Sequence, residues 1–151
     1  MTEEVINVSL KVIGTVRNGL AQRPDSGWGE AISEIVINSQ FTEALDGLEE
    51  LSHITVIFWM HQVMSRGPMP SRIHPMGKPE LPLVGRFATR SPHRPNPLGE
   101  TVVRLLERRD NVLKVEGLDA FEGTPVIDIK PFLPGHDSVA DARAPSWIPE
   151  H

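Results

Sequence analysis

Short runs of alternating or clustered apolar residues define the elements of this chain. Val8, Leu10 and Val12 alternate with polar residues, which predicts a half-buried first strand over residues 8–16. The largely apolar run from Ile54 to Met60 has the length of a strand that is buried on both faces. Further short segments predict strands over residues 33–37, 83–89, 100–107, 112–117 and 125–129.

The connections between these strands differ in length and composition. Residues 18–30 form a glycine-containing loop, and residues 108–111 form the turn of a hairpin. Thr42 as N-cap, followed by leucines at helical spacing, predicts a short helix that Gly47 interrupts. The long proline-rich connection over residues 63–82 predicts either a flexible lid or an ordered arm on a neighbouring subunit.

Six or seven short strands with little helix and no alternation of strands and helices predict a mainly β fold, a barrel or a sandwich. With 151 residues, 39% of them hydrophobic, the chain fits one domain over residues 1–151. We expect a single antiparallel β-barrel-like domain with a short helix and the long proline-rich connection. The strand-to-helix glycine turn of dinucleotide-binding folds is missing from the sequence.

Composition and charge narrow the classes of function. The chain has no cysteine, which excludes disulfides and thiolate metal sites, and it lacks an apolar run of membrane-spanning length. We therefore expect a cytoplasmic protein with no membrane partner. The net charge is −5, yet residues 61–104 carry seven Lys and Arg against two acids. A basic segment on an acidic protein is typical of a confined site for phosphate or carboxylate.

The most distinctive part of the basic segment is residues 85–99, here called the Arg/Pro loop, with three arginines and three prolines. Proline fixes φ and restricts the residue before it, so the backbone loses little entropy when a ligand binds. Arg90 stands just before the first Ser-Pro pair, and His93, Arg94 and Asn96 lie between prolines. The four residues suggest a site for an anion or a polar ligand; the alternative is a rigid connector with solvated arginines.

The Arg/Pro loop also carries a family resemblance. Together with residues 48–53, 61–62, 117–119 and 128–134, it resembles the signature of the TrmO (YaeB or TsaA-like) family. Members of that family are S-adenosylmethionine-dependent methyltransferases that act on tRNA. The resemblance implies that S-adenosylmethionine is the cofactor and that these residues contact it: Ser26, Gly27, Trp28, His61, Gln62, Arg90, Glu100, Gly117, Leu118 and Asp119.

Residues of this set and of the Arg/Pro loop are candidates for particular roles. Arg90 suits the methionyl carboxylate of the cofactor, although an ion pair with Asp128 is an alternative. Arg94, His93 and Asn96 are candidates for binding the substrate, and Asp119, Arg94 and Asn96 are candidate catalytic residues. No spacing typical of metal ligands is present, so no metal is expected.

Three residues also have purely structural interpretations. His61 lies at the end of a predicted strand, where a histidine often serves in packing or capping. Trp28 either stacks on a base or closes the core. Asp128 interrupts a strand and, if buried, must be paired with Lys130 or Arg90; we expect it to be structural.

The family resemblance implies methyl transfer to N6 of N6-threonylcarbamoyladenosine beside the tRNA anticodon. Well-known bacterial relatives continue into a C-terminal domain thought to assist tRNA binding, and this sequence ends at His151. Two alternatives follow: methylation of a small molecule or another RNA, and a regulatory protein that binds the cofactor without catalysis. The proline-rich connection and the resemblance also predict a homodimer with its active site near the subunit interface.

Overall fold

Six antiparallel strands close into a barrel in the computed structural model, which describes residues 3–63 and 70–148. In chain order the strands are β1 (Gly14–Arg17), β2 (Ile32–Ile37), β3 (His53–Trp59), β4 (Arg72–Ile73), β5 (Val84–Gly85), β6 (Leu98–Arg109), β7 (Val112–Glu116) and β8 (Pro125–Pro131). The order around the barrel is β1, β2, β7, β6, β3, β8, while β4 and β5 pair separately. The predicted mainly β, barrel-like fold is confirmed.

The hydrophobic core fills the inside of the barrel. Along each strand, residues that point into the barrel alternate with residues that point outward. On β2 the buried, inward-pointing residues are Ser33, Ile35 and Ile37. The largest fully buried side chains come from every barrel strand and from one loop: Val16, Ile35, Ile37, Ile54, Val56, Val103, Leu113, Val115, Leu118 and Val126. Because Leu118 belongs to the loop after β7, that loop is anchored in the core.

Strand β3 lies at the centre of the wall that carries the candidate site. It pairs with β6 on one side and β8 on the other, and Ile54, Thr55 and Val56 are buried in succession. The predicted strand buried on both faces is therefore confirmed. Its register places Phe58 opposite Gly99, and the amide of Met60 donates to the carbonyl of Pro97 at 2.7 Å.

The predicted first strand is wrong in its N-terminal half. Strand β1 begins at Gly14, while Val8, Leu10 and Val12 are 79%, 50% and 52% exposed. A strand needs a hydrogen-bonded neighbour as well as an alternating pattern. Pairing with β2 covers only Gly14–Arg17, so the alternating residues before Gly14 are not paired with β2.

Two further elements differ from their predictions. The predicted helix consists of two 3₁₀ helices, Ser39–Leu45 and Leu48–Glu50, and its N-cap is Asn38 rather than Thr42. Gly47 separates them with a φ of 94°, outside the helical region. The predicted strand over residues 83–89 shrinks to β5, because the 3₁₀ helix Arg86–Ala88 follows at once.

The proline-rich connection is partly described. Residues 64–69 lie outside the described part of the chain. The rest of the connection, residues 70–82, folds back on its own chain, because β4 pairs with β5. The 3₁₀ helix Pro75–Gly77 lies between these two strands, and the amide of Arg86 donates to the carbonyl of Ser71 at 3.0 Å. The described part is therefore an ordered arm; packing on a neighbouring subunit stays a prediction.

The other predicted elements are confirmed. Strands β2, β6, β7 and β8 each contain or nearly match the predicted segment, and the turn from β6 to β7 is residues 110–111, inside the predicted 108–111. Asp110 takes a φ of 54° at that turn. A short α-helix, α1 (Pro134–Asp137), follows β8. Across residues 3–63 and 70–148, no helix has the length and apolar character needed to cross a membrane.

Candidate active site at the barrel rim

A pocket of about 250 Å³ opens at the rim of the barrel where β3 ends and β6 begins. Three separate stretches of the chain meet there: the end of β3, the Arg/Pro loop with the start of β6, and the loop after β7. The lining residues are Phe58, Met60, Thr89, Arg90, Arg94, Leu98, Gly99, Glu100, Thr101 and Asp119. The pocket thus combines an apolar floor with charged walls.

The apolar floor depends on one close strand contact. Phe58 is 3% exposed and lies across the ladder from Gly99. A Cβ atom at position 99 would overlap the Phe58 ring, so only glycine lets this ring lie flat against β6. The shape of the pocket is therefore set by the pairing of β3 with β6.

Hydrogen bonds within the Arg/Pro loop make one of its walls rigid. Nη1 of Arg94 donates to the carbonyls of Thr89 and Ser91 at 2.9 and 3.0 Å. The hydroxyls of Thr89 and Ser91 accept from the amides of Ser91 and His93, each at 3.2 Å. The guanidinium carbon of Arg94 also lies 5.9 Å from the centre of the Phe87 ring. Arg94 therefore organises the loop as well as lining the pocket.

Two acidic residues, Asp119 and Glu100, also line the pocket. Asp119 follows β7, and its Oδ1 accepts a hydrogen bond from the Thr101 hydroxyl on β6. Glu100 lines the same pocket and is exposed. The residues that line this small pocket thus include two arginines, Arg90 and Arg94, and two acidic residues, a combination suited to a ligand that carries both signs of charge.

The first loop, residues 18–30, is attached to the segment that carries Asp119. The Trp28 and Phe121 rings lie 5.4 Å apart, and Oε1 of Glu122 accepts from the amides of Asn18 and Gly19, both at 2.7 Å. These hydrogen bonds, first from Gly19 and then from Asn18, hold the pKa of Glu122 below its usual value.

His61 and Gln62 begin the 3₁₀ helix that follows β3, next to the lining residue Met60. Among the described residues, buried Nδ1 of His61 has no hydrogen-bond partner. A buried polar atom without a partner is costly, which marks this atom as a candidate for a ligand contact. Gln62 is exposed at the same rim.

The structure brings together some of the residues singled out from the sequence. Arg90, Arg94, Glu100 and Asp119 line one pocket. The others are not among its lining residues and lie in the first loop, after β3, before Asp119 and within the Arg/Pro loop: Ser26, Gly27, Trp28, His61, Gln62, Gly117, Leu118, His93 and Asn96.

The structure selects one of the two partners considered for Asp128. Its side chain is 46% exposed rather than buried, and Oδ2 pairs with Nζ of Lys130 at 3.2 Å. A shift of register opposite Ile57 and Phe58 interrupts the pairing of β3 with β8 at this position. Asp128 therefore has its partner on its own strand, and Arg90 faces the pocket instead.

Sequence reasoning missed six of the ten residues that line the pocket. Phe58, Met60, Thr89, Leu98, Gly99 and Thr101 line the pocket because of strand register and loop closure. A threonine four residues after a proline gives no local signal that its hydroxyl donates to a carboxylate in a distant loop. Only the pairing of Thr101 with Asp119, seen in three dimensions, identifies it.

A second and larger pocket, of about 340 Å³, lies on the barrel wall toward the other end of β6. Its charged groups pair with one another: Arg17 lies 3.3 Å from Glu34, and Arg109 lies 3.7 Å from the same residue. Exposed pairs of this kind are typical of a solvated strand surface. We therefore place the functional site at the rim pocket, where the arginines and carboxylates face a cavity.

Within the described ranges 3–63 and 70–148, no group of three or more His, Asp or Glu is arranged to hold a metal ion. The fold and the pocket define a small closed-barrel protein with one rim built for a charged polar ligand. A family model described as the tRNA-methyltransferase O N-terminal domain matches residues 17–138. The chain therefore belongs to the tRNA-methyltransferase O (TrmO) family.

Individual relatives support this membership. The chain is 42% identical over 134 residues to an Archaeoglobus fulgidus "S-adenosyl-L-methionine-binding protein", covering 86% of this chain and 93% of that protein. It is 44% identical over 106 residues to the Escherichia coli K12 "tRNA (adenine(37)-N6)-methyltransferase", covering 68% of this chain and 45% of that protein.

The fold agrees with solved structures. A crystal structure of TrmO from Pseudomonas aeruginosa superposes with a TM-score of 0.75 at 34% identity, covering 95% of this chain and 64% of that chain. The chain spans less than half the length of several curated relatives, including 38% of one from Archaeoglobus fulgidus. The resemblance therefore extends over their barrel region.

Proposed function

We propose that this chain binds S-adenosylmethionine in the rim pocket and transfers its methyl group to an adenine of tRNA. The observation that carries the proposal is the mixed charge of the pocket. Arg90 and Arg94 line it together with Glu100 and Asp119, and S-adenosylmethionine carries a carboxylate, an ammonium and a sulfonium. The names of the relatives point to the same cofactor and substrate.

The pocket residues fit the parts of the cofactor. Arg90 offers a bidentate donor to the methionyl carboxylate. Asp119 and Glu100 offer acceptors to the ammonium or to the ribose hydroxyls, and buried Nδ1 of His61 offers a further polar contact. The apolar floor formed by Phe58 and Met60 suits the methylene carbons beside the sulfonium and the adenine ring.

The bound cofactor would supply an electrophilic methyl group on its sulfonium. The protein must then hold the acceptor nitrogen in line and accept its proton. Asp119 is our candidate for the proton acceptor, because its carboxylate lies in the pocket and Thr101 fixes its orientation. Arg90 and Arg94 place positive charge in the same pocket, where they attract anionic groups.

The target within tRNA is proposed to be N6 of N6-threonylcarbamoyladenosine beside the anticodon. Its threonyl carboxylate needs a cation, and Arg94 lines the pocket beside Arg90. Because Nη1 of Arg94 bonds to loop carbonyls, the Nε and Nη2 edge is the part that would reach this carboxylate. His93 and Asn96 lie on the same loop and are proposed to contact the same nucleotide.

Binding of the cofactor without catalysis is the second candidate, because the Archaeoglobus relative that aligns over 93% of its own length is named only as a binding protein.

Calorimetry with S-adenosylmethionine tests the site first. Arg90→Ala is expected to weaken binding by about 1.5–3 kcal/mol, the usual range for hydrogen bonds to charged groups. Arg109→Ala, on the opposite end of β6, is the matched control. Unchanged affinity in a folded Arg90→Ala variant would remove the proposed site.

Transfer of labelled methyl groups separates catalysis from binding. We expect turnover on tRNA that carries the threonylcarbamoyl group and little on unmodified tRNA or a metabolite extract. Arg94→Lys keeps a charge but lacks the bidentate fork, so it is expected to recover little of the turnover lost in Arg94→Ala. Equal turnover on both tRNAs would contradict the carboxylate contact, and cofactor binding without any transfer would favour the second candidate.

The assembly and location belong to the same proposal. The described residues build one barrel around one core, which supports a single domain. A homodimer with its active site near the interface is proposed because the ordered arm carries exposed Met76 and Leu83. A tRNA substrate would place the protein in the cytoplasm. Light scattering at micromolar concentration tests the dimer, and a monomeric mass would contradict it.

A further inference from the structure

Phe87 is the most exposed aromatic ring beside the rim pocket. It lies in the 3₁₀ helix Arg86–Ala88 at the start of the Arg/Pro loop and is 78% exposed. A ring of this size usually finds cover in the core or at an interface. Its exposure is therefore a feature that the proposed cofactor site does not explain.

One side of this ring has a fixed partner. The Arg94 guanidinium lies over it at 5.9 Å, and the two hydrogen bonds from Nη1 to loop carbonyls hold that guanidinium in place. Arg94 also lines the pocket, so the ring and the pocket share one side chain. The contact orients the ring and leaves most of its surface open.

The surroundings of the ring favour a nucleic acid as its partner. Arg86 precedes it, and Arg90 and Arg94 follow within the same loop. Residues 85–99 contain three arginines and no Asp or Glu, and nucleic-acid surfaces combine arginines for phosphate with aromatic rings for bases. An open ring among three arginines, with no acidic residue between them, matches this description.

We infer that the open face of Phe87 stacks on an unpaired RNA base next to the nucleotide that enters the rim pocket. This inference rests on the proposed function and adds a contact outside the reacting nucleotide. Stacking on an aromatic ring tolerates any base, so Phe87 would hold the strand while the pocket selects the target. Arg86, to which the proposed function gives no ligand, would bind a flanking phosphate.

Binding of a synthetic RNA hairpin with unpaired loop adenosines to the full chain tests the inference. Phe87→Ala is expected to raise the Kd about ten-fold, equivalent to ~1.4 kcal/mol. Phe87→Trp should keep the wild-type affinity, and Phe87→Leu should resemble Phe87→Ala, because leucine is apolar but has no π face. Val139→Ala, which removes a side chain that is 63% exposed outside the loop, is the control. Affinity for S-adenosylmethionine should stay within about two-fold in all four variants.

A fluorescent adenine analogue in the hairpin loop reports stacking directly, and we expect its quenching by wild type to be lost in Phe87→Ala. The inference is overturned if Phe87→Ala binds like Val139→Ala, or if Phe87→Leu binds like wild type. It is also overturned if Phe87→Ala turns a dimer into a monomer, which would assign the ring to contact between copies. Wild-type protein that binds cofactor but no RNA would overturn the tRNA substrate and this inference together.

Discussion

The substitution Gly99→Ala tests whether the pocket shape depends on the pairing of β3 with β6. Gly99 lies opposite Phe58, and an added Cβ would meet three atoms of the Phe58 ring. Those atoms belong to a ring that is 3% exposed and surrounded by core residues, so it has little room to turn inward. The ring must tilt toward the pocket, or the two strands must separate.

The magnitude follows from overpacking. Adding a methyl group to a well-packed site usually costs about 1–3 kcal/mol of folding free energy. For a chain of this size, 1 kcal/mol corresponds to roughly 2–4 °C in Tm. We therefore expect Gly99→Ala to lower Tm by about 2–12 °C. Because the displaced ring lines the pocket, the affinity for S-adenosylmethionine should fall as well.

Thermal unfolding followed by circular dichroism measures the effect, with Gly85→Ala as the matched control. Gly85 is also a strand glycine with negative φ, but a Cβ there meets no atom within 4 Å. Combining Gly99→Ala with Phe58→Leu should recover part of the loss, because the smaller side chain makes room. A Tm for Gly99→Ala equal to that of wild type, or additive losses in the double variant, would refute the reasoning.

Two further predictions concern groups that fasten loops. The pKa of Glu122 is lowered in the folded state, so its carboxylate stabilises the fold fully above the unfolded value of 4.5 and loses this contribution as pH falls toward the folded value. Urea unfolding from pH 7 to 3 should show Glu122→Gln less stable than wild type at neutral pH, with the difference vanishing in acid; a constant difference would contradict the prediction. Arg108 donates to Asp46 and to the carbonyls of Thr42 and Asp110, so Arg108→Lys should lower Tm without changing cofactor affinity. Arg109 is the control, because its side chain is 69% exposed. If Arg108→Lys and Arg109→Lys have the same Tm, Arg108 does not have this role.

The parts of the fold that sequence patterns predicted are those in which pattern and pairing coincide. The run at β3 is buried because β6 and β8 flank it on both sides, and Asp110 tolerates the positive φ that the β6–β7 turn requires. Both features are local properties of the residues themselves. A barrel then follows from many short strands with few helices.

The failures share a different cause. Val8 and Leu10 alternate like strand residues, but alternation shows which face is apolar and not whether a neighbouring strand exists. Leucines around Gly47 have helical spacing, yet its φ of 94° divides the segment into two 3₁₀ turns. Each failure reflects tertiary contacts or backbone geometry that override a local pattern.

The candidate site shows the same division. Arg90, Arg94, Glu100 and Asp119 could be identified because unusual loop composition and a family resemblance marked them, and they share a pocket. Thr101 and Met60 could not be identified, because their places depend on register between strands distant in sequence. The exposure of Asp128 could not be predicted, because the register between β3 and β8 shifts at that position.

The closed ring of strands also has a consequence for how the pocket forms during folding. The ring closes only when β1, the first strand, pairs with β8, the last, through Gly14 and Val126. Contacts so distant along the chain form late, and barrels of this kind fold on the millisecond-to-second scale. The pocket joins β3, β6 and the loop after β7, and Leu118 anchors that loop in the core. Cofactor binding would therefore report that β3, β6 and the loop after β7 have come together, whereas closure between β1 and β8 is a separate contact.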